Sequence, residues 1–343
     1  MKTIGFFPAH PSQLWMMKAL YDSSPRNVRI QWYIRDKDVT KDLIDSFGFQ
    51  YTLVSKAKKG ILGNALELIS NIIKFMWLSK RDNIDLWFSK YGAVNISSWL
   101  LRIRNISFND DDADIVPAIA YTSYPFANKV LCTTWTRMSQ FESNAIFYNS
   151  FHELFYLHPK RFTKNLHQAL ISLQMRTLPP YIIIRLSSLE AHHDVNAKGI
   201  SEALLKTIIH KIECKFQVFI SSEKKLLPPF TKYQLKIAPS EIHNVLAHAS
   251  ACIGDSQTMI AEAAVLGVPA LRISSFSKKI GYLEELERRG LCKSIHPNDY
   301  SSILIELDLL FASIKKGLQE PKNKLIDDTI DPVDFFWQEI LKQ

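Results

Sequence analysis

Residues 250–272, SACIGDSQTMIAEAAVLGVPALR, constrain the fold more than any other stretch of this 343-residue chain. The apolar run Ala251–Ile253 ends in Gly254-Asp255-Ser256. A helical pattern follows, with Met259, Ile260, Ala263, Ala264 and Leu266 on one side. Gly267 and Pro269 stop it, and a second strand starts at Ala270. The spacing therefore predicts a strand, a tight turn, a helix and a second strand. Asp255 or Ser256 can cap the helix, so the free N–H groups of the first turn, including those at Gln257 and Thr258, face beyond the strand end. Such a helix start suits a phosphate. Glu262, further along the helix, is placed to accept hydrogen bonds from ribose hydroxyls. An ordinary capped helix of an α/β domain would read the same way, so the rest of the chain has to decide.

Strand and helix patterns alternate on both sides of this unit. Ile4–Phe7, Val28–Ile34, Tyr51–Val54, Leu86–Phe88, Ile106–Phe108, Lys129–Cys132 and Ala145–Tyr148 read as strands, with helices at Ser12–Leu20, Ile61–Leu78 and Val94–Arg104. A second series starts after Pro179-Pro180. Its strands are Tyr181–Leu186, Phe216–Ile220, Tyr233–Ile237 and Leu291–Ile295, besides those of the 250–272 unit. Its other helices are Ala197–Ile212, Glu241–Ala247, Tyr282–Arg289 and one from Asp299. Residues 317–332 read as a loop, and Pro332–Leu341 as a last helix able to pack back on the first half. Repeated βα order means parallel sheets covered by helices. The expectation is two Rossmann-like domains, 1–160 and 175–325, facing one cleft, with 326–343 returning to the first. Ligands of open α/β sheets bind at strand C-terminal ends. With neither a GxGxxG turn nor a GxxxxGK[ST] loop, a dinucleotide cofactor and a P-loop reaction are disfavoured.

Composition narrows the partner. Hydrophobic residues make up 47% and charged residues 22%, the balance of a folded globular protein, and the net charge of +8 favours an anionic ligand. No basic–aromatic interleaving or nucleic-acid module accompanies that charge, so nucleic acid is not expected. No apolar run is long enough to span a membrane. The start, MKTIGFFPAHPSQLW, reads as a first strand rather than a signal peptide. Cys132, Cys214, Cys252 and Cys292 are widely spaced and read as reduced, buried thiols. The expected location is cytoplasmic.

Several strand ends carry polar residues. His10 follows the first strand between prolines; it can serve as a general base or simply cap the next helix. Asp110, Asp111, Asp112 and Asp114 follow the strand at 106–108 and read as a base, as groups holding sugar hydroxyls, or as solvated caps. Lys90, after the strand at 86–88, is an anion or substrate contact. Arg185 ends the strand at 181–186 and suits a diphosphate, while Glu190 and His192 in the loop beyond are further substrate contacts. Adjacent His192-His193 is a poor chelator, and no metal is expected. The helix at 61–78, wide in its apolar face, is bounded or interrupted by Lys58, Lys59, Lys74, Lys80 and Arg81. It reads as a core helix or as one lying on an anionic membrane surface.

Gly254-Asp255-Ser256-Gln257-Thr258, Glu262-Ala263 and Leu266-Gly267-Val268-Pro269 together resemble the signature of UDP-N-acetylglucosamine 2-epimerases in the GT-B superfamily, which also holds nucleotide-sugar glycosyltransferases. The whole chain also resembles the family called domain of unknown function 354, through Phe108-Asn109-Asp110-Asp111, Tyr148-Asn149-Ser150, Glu153 to His158, Ile184-Arg185 and the 254–269 segment. The first resemblance implies a GT-B fold, a diphosphate on the turn at Ser256 and a ribose on Glu262. Gln257-Thr258 replaces two glycines of the epimerase pattern, and Gly254 stands where a retaining transferase's EX7E motif would need glutamate. The resulting expectation is an inverting, metal-independent glycosyltransferase of surface-polysaccharide assembly, needing no cofactor. It would use a nucleotide-sugar donor, a sugar or lipid-linked glycan acceptor, and peripheral contact with the inner face of the membrane. His10, Asp111 or Asp112 would be the base. A UDP-sugar 2-epimerase or nucleotide-sugar hydrolase is the first alternative, and a non-catalytic nucleotide-sugar-binding protein the second.

Overall fold

A computed structural model describes residues 1–36, 39–56, 61–187 and 199–342. The chain divides into two compact units, Met1–Tyr156 with Ile330–Gln343, and Leu157–Thr329.

The first unit is a sheet of seven parallel strands, β1 (Lys2–Phe6), β2 (Val28–Asp36), β3 (Tyr51–Lys56), β4 (Leu86–Phe88), β5 (Arg104–Asn109), β6 (Lys129–Thr133) and β7 (Ala145–Tyr148). Between them run α1 (Pro11–Asp22), α2 (Thr40–Ser46), α3 (Ile61–Arg81), α4 (Gly92–Leu101) and α5 (Pro117–Ser123), and α6 (Leu154–Leu157) follows β7. The strands are short apolar runs because helices cover both faces: Ile4, Phe6, Leu86, Trp87, Phe88, Ile106 and Phe108 are all buried. The order is β3-β2-β1-β4-β5-β6-β7, so the direction of winding reverses between β1 and β4. A crevice opens at such a reversal, beyond the strand C-termini.

The second unit starts with α7 (Leu166–Leu173) and continues β8 (Tyr181–Leu186), α8 (Glu202–Ile212), β9 (Gln217–Ser222), α9 (Ile242–Ala247), β10 (Ala251–Gly254), α10 (Gln257–Leu266), β11 (Ala270–Ile273), α11 (Gly281–Arg288), β12 (Cys292–Ile295), α12 (Tyr300–Lys316) and α13 (Gln319–Asp328). Its five strands are parallel, in the order β12-β11-β10-β8-β9. Here the winding reverses between β8 and β10. The last helix, α14 (Pro332–Leu341), belongs to the first unit. Trp337 Nε1 donates to the Leu20 carbonyl at 3.1 Å, and Lys129 Nζ donates to Glu339 at 3.0 Å.

The α/β class with two parallel sheets stands as read from the sequence, but some elements differ. Tyr233–Ile237 is not a strand. A one-turn 3-10 helix occupies Phe230–Tyr233, which shortens the run and leaves one isolated bridge, Ile220 to Gln234. Residues 317–332 are not a loop: α13 fills Gln319–Asp328, a polar helix held by the fully buried Leu325, whose lone apolar anchor gives no period to read. The helix begun near 94 stops at Leu101, because Arg102 turns left-handed (φ 56°) and Arg104 already belongs to β5. The helix expected from Ala197 begins at Glu202, capped by Ser201; residues 197 and 198 lie outside the described ones. Of the cysteines, Cys214 is exposed rather than buried. Burial pushes the thiols of Cys252 and Cys292 up to about 12.

Candidate functional site

In the first unit the side chains after β1, β4, β5 and β7 gather at the reversal point. Lys90, just beyond β4, is buried, and its ammonium reaches Asn109 Oδ1 at 2.9 Å, Asp111 Oδ2 at 3.3 Å and Asp110 Oδ1 at 3.6 Å. Burial alone would lower the Lys90 pKa, but Asp111 and Asp110 outweigh it and hold it above its ordinary value. Burial likewise opposes ionisation of Asp110; the electrostatic influence of His152 and of the Lys90 ammonium overcomes it, so the carboxyl sits below its ordinary value. Asn109 braces the turn by donating from Nδ2 to the Asp111 carbonyl at 2.7 Å, and it also bonds the Tyr124 hydroxyl. The run of aspartates therefore splits. Asp110 and Asp111 serve Lys90, whereas Asp112 turns to Arg137, accepting its backbone N–H at 2.8 Å and its guanidinium at 3.1 Å. Asp114 accepts from Ser139 at 3.1 Å. Asp112 is thus occupied in fastening the 110–114 turn to the residues after β6.

Two imidazoles adjoin this cluster. His10 caps α1: its Nδ1 lies 2.9 Å from Ser12 Oγ and accepts the Ser12 N–H at 3.3 Å. His152, in the turn between β7 and α6, is hydrogen-bonded to the Ser12 main chain and stacks with Phe108 at 6.1 Å. Its Nε2 is buried without a hydrogen-bond partner. Burial lowers its pKa, with Asp110 opposing, so the ring is neutral at neutral pH. His152 falls inside the 148–158 stretch that carries one sequence resemblance, but its neighbours Ser12 and Phe108 are far away along the chain, and nothing local assigns it a role.

The second unit builds its site on the 250–272 segment. Gly254 ends β10 in register with Arg185 on β8 and Arg272 on β11. A Cβ on Gly254 would stand 2.5 Å from the Arg185 carbonyl, so the close approach of the two strands requires glycine here. Ser256 caps α10, its hydroxyl accepting the Met259 N–H at 3.4 Å, and the half-buried Gln257 and Thr258 form the first turn. Asp255 points elsewhere. Its Oδ1 accepts both the N–H and the hydroxyl of Ser187 at 2.7 Å, and its carboxylate also takes the backbone N–H of Ile200. It is buried, and desolvation outweighs those bonds and raises its pKa. Asp255 thereby ties together the chain on either side of residues 188–198. Glu190 and His192 fall within that stretch, and with Lys58 and Lys59 they lie outside the described residues.

Glu262 is buried on α10 and meets His243 Nε2 of α9 at 3.0 Å. Arg185 is half-buried, donating to Ser221 Oγ at 3.0 Å and ion-paired with Glu223, so its charge is already partly matched. Arg272 went unnoticed in the sequence. It is 1% exposed, with Nη1 3.4 Å from the Phe276 carbonyl and Nη2 3.4 Å from Ser274 Oγ. A buried arginine within Ala-Leu-Arg-Ile was itself a signal, since such a strand is otherwise apolar. The backbones of Arg185 and Arg272 thus flank Gly254, and the start of α10 follows it. Among the described residues no group of three or more His, Cys, Asp or Glu side chains is arranged to hold a metal ion.

No protein-family profile matches the chain, and no curated protein matches it. The similarity to domain of unknown function 354 therefore rests on the quoted motifs alone. Solved structures do match over the whole length. UDP-GlcNAc 2-epimerase from Methanocaldococcus jannaschii superimposes with a TM-score of 0.65 at 12% identity, covering 99% of this chain and 100% of that one. The Neisseria meningitidis UDP-GlcNAc 2-epimerase bound to UDP-GlcNAc gives 0.63 at 13% identity, covering 99% of each chain. Spinosyn forosaminyltransferase gives 0.58 at 13% identity, covering 98% of each. The chain has the two-domain α/β fold shared by these GT-B-like proteins.

Proposed function

We propose that this chain is a nucleotide-sugar-dependent glycosyltransferase, inverting and independent of a divalent metal, acting in the assembly of surface polysaccharide or another glycoconjugate. The observation that carries the reading is the edge around Gly254, the glycine that leads from β10 into the capped start of α10 and stands in register with Arg185 and Arg272 on the neighbouring strands. In the reaction, a base takes the proton of an acceptor hydroxyl on a sugar or a lipid-linked glycan. The oxygen attacks the anomeric carbon of the donor as the bond to the diphosphate breaks, and the nucleoside diphosphate leaves. The helix start and the two arginines supply positive field for that leaving group. Glu262, moored by His243, is the ribose contact. On the first unit, His10 or Asp111 is the base, because the Asp112 carboxylate is committed to Arg137. Gln257-Thr258, where the epimerase pattern has two glycines, supports transfer over epimerisation.

The second reading is a UDP-sugar 2-epimerase. The solved epimerases support it with the higher superposition scores, 0.63 to 0.65 against 0.58. So does the buried His152 beside Asp110, an acid–base pair of the kind needed to move a proton at a sugar carbon. Incubation of the full chain with a panel of nucleotide sugars, in excess chelator, with and without glycan acceptors, separates the readings. Release of nucleotide only when acceptor is present supports transfer, and an isomerised sugar without acceptor supports epimerisation. Binding of UDP by the Glu262→Gln variant should weaken roughly 5- to 100-fold, the loss of one charge-assisted hydrogen bond. An unchanged calorimetric Kd rejects the ribose role.

A further inference from the structure

The outward face of α3 is apolar. Leu66, Ile69, Ile73 and Trp77 are 58–65% exposed, and their spacing places them within an arc of roughly 80° along one side of the helix. The opposite side is packed into the first unit through Phe75 and Leu78, with Asn71 and Glu67 also buried. The helix is therefore anchored, and its apolar stripe is left facing out. Scattered apolar side chains on a surface need no explanation, but a continuous stripe marks an interaction face.

The charges around the stripe identify the occupant. Between Leu66 and Arg81 the one carboxylate, Glu67, is buried and ion-paired with Arg35 at 2.7 Å. The charged residues exposed on this helix are Lys74, Lys80 and Arg81, all basic. Arg81 lies over the Trp77 ring at 4.7 Å, pairing a cation with an aromatic body. Trp beside Arg and Lys, with Leu and Ile along the same side, suits the boundary between headgroups and acyl chains. We propose that this face of α3 docks on an anionic lipid bilayer, the helix lying in the plane of the interface with its stripe among the acyl chains. A second copy of the chain fits less well, because two such stripes brought together would bring the exposed Lys80 of each close to basic residues of the other, while the carboxylate at this helix end, Asp82, is already ion-paired with Arg81 at 2.6 Å.

The inference does not depend on the reaction catalysed and is tested without it. Full-length protein is sedimented with phosphatidylcholine vesicles, with and without phosphatidylglycerol, at low and high salt. Binding is expected with phosphatidylglycerol, weakening as salt rises. Ile73→Asp and Trp77→Ser should each reduce partitioning at least tenfold while the thermal midpoint stays that of the parent, since both side chains stand in solvent. Lys80→Glu should reduce binding to anionic vesicles without unfolding the helix. The inference is overturned if the parent protein fails to sediment with phosphatidylglycerol vesicles at low salt, or if both apolar-stripe variants bind as it does. It is equally overturned if equilibrium sedimentation shows a dimer that Ile73→Asp dissolves, which would make the stripe a contact between copies.

Discussion

Replacing Lys90 by methionine isolates the charge balance of the first-unit cluster. The ammonium lies 3.6 Å from Asp110 and 3.3 Å from Asp111, and its side chain is 9% exposed. At those separations each pair is worth about 5 kcal/mol of Coulomb attraction in an effective dielectric near 20. Part of that is regained when water reaches the carboxylates, whose side chains are 15% and 20% exposed. The net cost of stranding two carboxylates should be about 3–5 kcal/mol, the range for breaking a buried pair by removing one partner. The double variant Lys90→Met/Asp110→Asn removes the more deeply placed charge and should recover about 1–2 kcal/mol of that loss. All seven tryptophans, at 15, 32, 77, 87, 99, 135 and 337, belong to the first unit, so their fluorescence in a urea titration reports on it selectively. The pH dependence has a definite sign. The Asp110 carboxyl is held below its ordinary value, so its contribution is present above the unfolded value near 4 and fades as pH falls through the folded one. The gap between parent and Lys90→Met should therefore narrow in acid. A single variant within about 1 kcal/mol of the parent, or a double variant no more stable than the single, would show that Lys90 does not neutralise this turn.

Asp255→Ala removes the acceptor of three hydrogen bonds, from Ser187 N–H, Ser187 Oγ and the Ile200 backbone, and should cost about 3 kcal/mol in all. In a unit of this size that is a fall in Tm of roughly 6–12 °C by calorimetry, with Asp255→Asn losing about half; an unchanged Tm would reject the tie between the two chain ends. His152 is held below its ordinary value by burial, so the folded first unit keeps it neutral while the unfolded chain protonates it near pH 6.5. Stability should be complete above that pH and decline below it. The dependence should flatten in His152→Gln, and an identical pH profile for that variant would place the titration elsewhere.

The fold was legible because both sheets are covered on both faces, which turns each strand into a short apolar run. Tyr181–Leu186 and Ala145–Tyr148 could be placed to the residue. Elements held by one or two distant contacts were not legible. α13 is polar along most of its length and owes its place to Leu325, so too few apolar residues mark it as a packed helix. Tyr233–Ile237 has the alternation of a strand, but a strand also needs a partner edge, and the 3-10 turn at Phe230–Tyr233 leaves only Gln234 in reach of Ile220.

Within the candidate sites the legible part was the position of polar residues at strand ends, and the illegible part was their pairing. Asp110, Asp111 and Asp112 are consecutive, yet two face Lys90 and the third faces Arg137, a division made by the turn that Asn109 braces. Asp255 looked equivalent to Ser256 as a cap, yet the bonds from Ser187 and Ile200 turn its carboxylate away from the first turn of α10. The last residue of β10 precedes both and has its own steric requirement. Gly254 lets β10 approach β8 closely, and its register partners carry the two arginines. A guanidinium as buried as that of Arg272 is expensive to keep unless hydrogen bonds or an anion repay its desolvation. The Phe276 carbonyl and the Ser274 hydroxyl, each 3.4 Å from one of its terminal nitrogens, are two of the contacts that hold it at the end of β11.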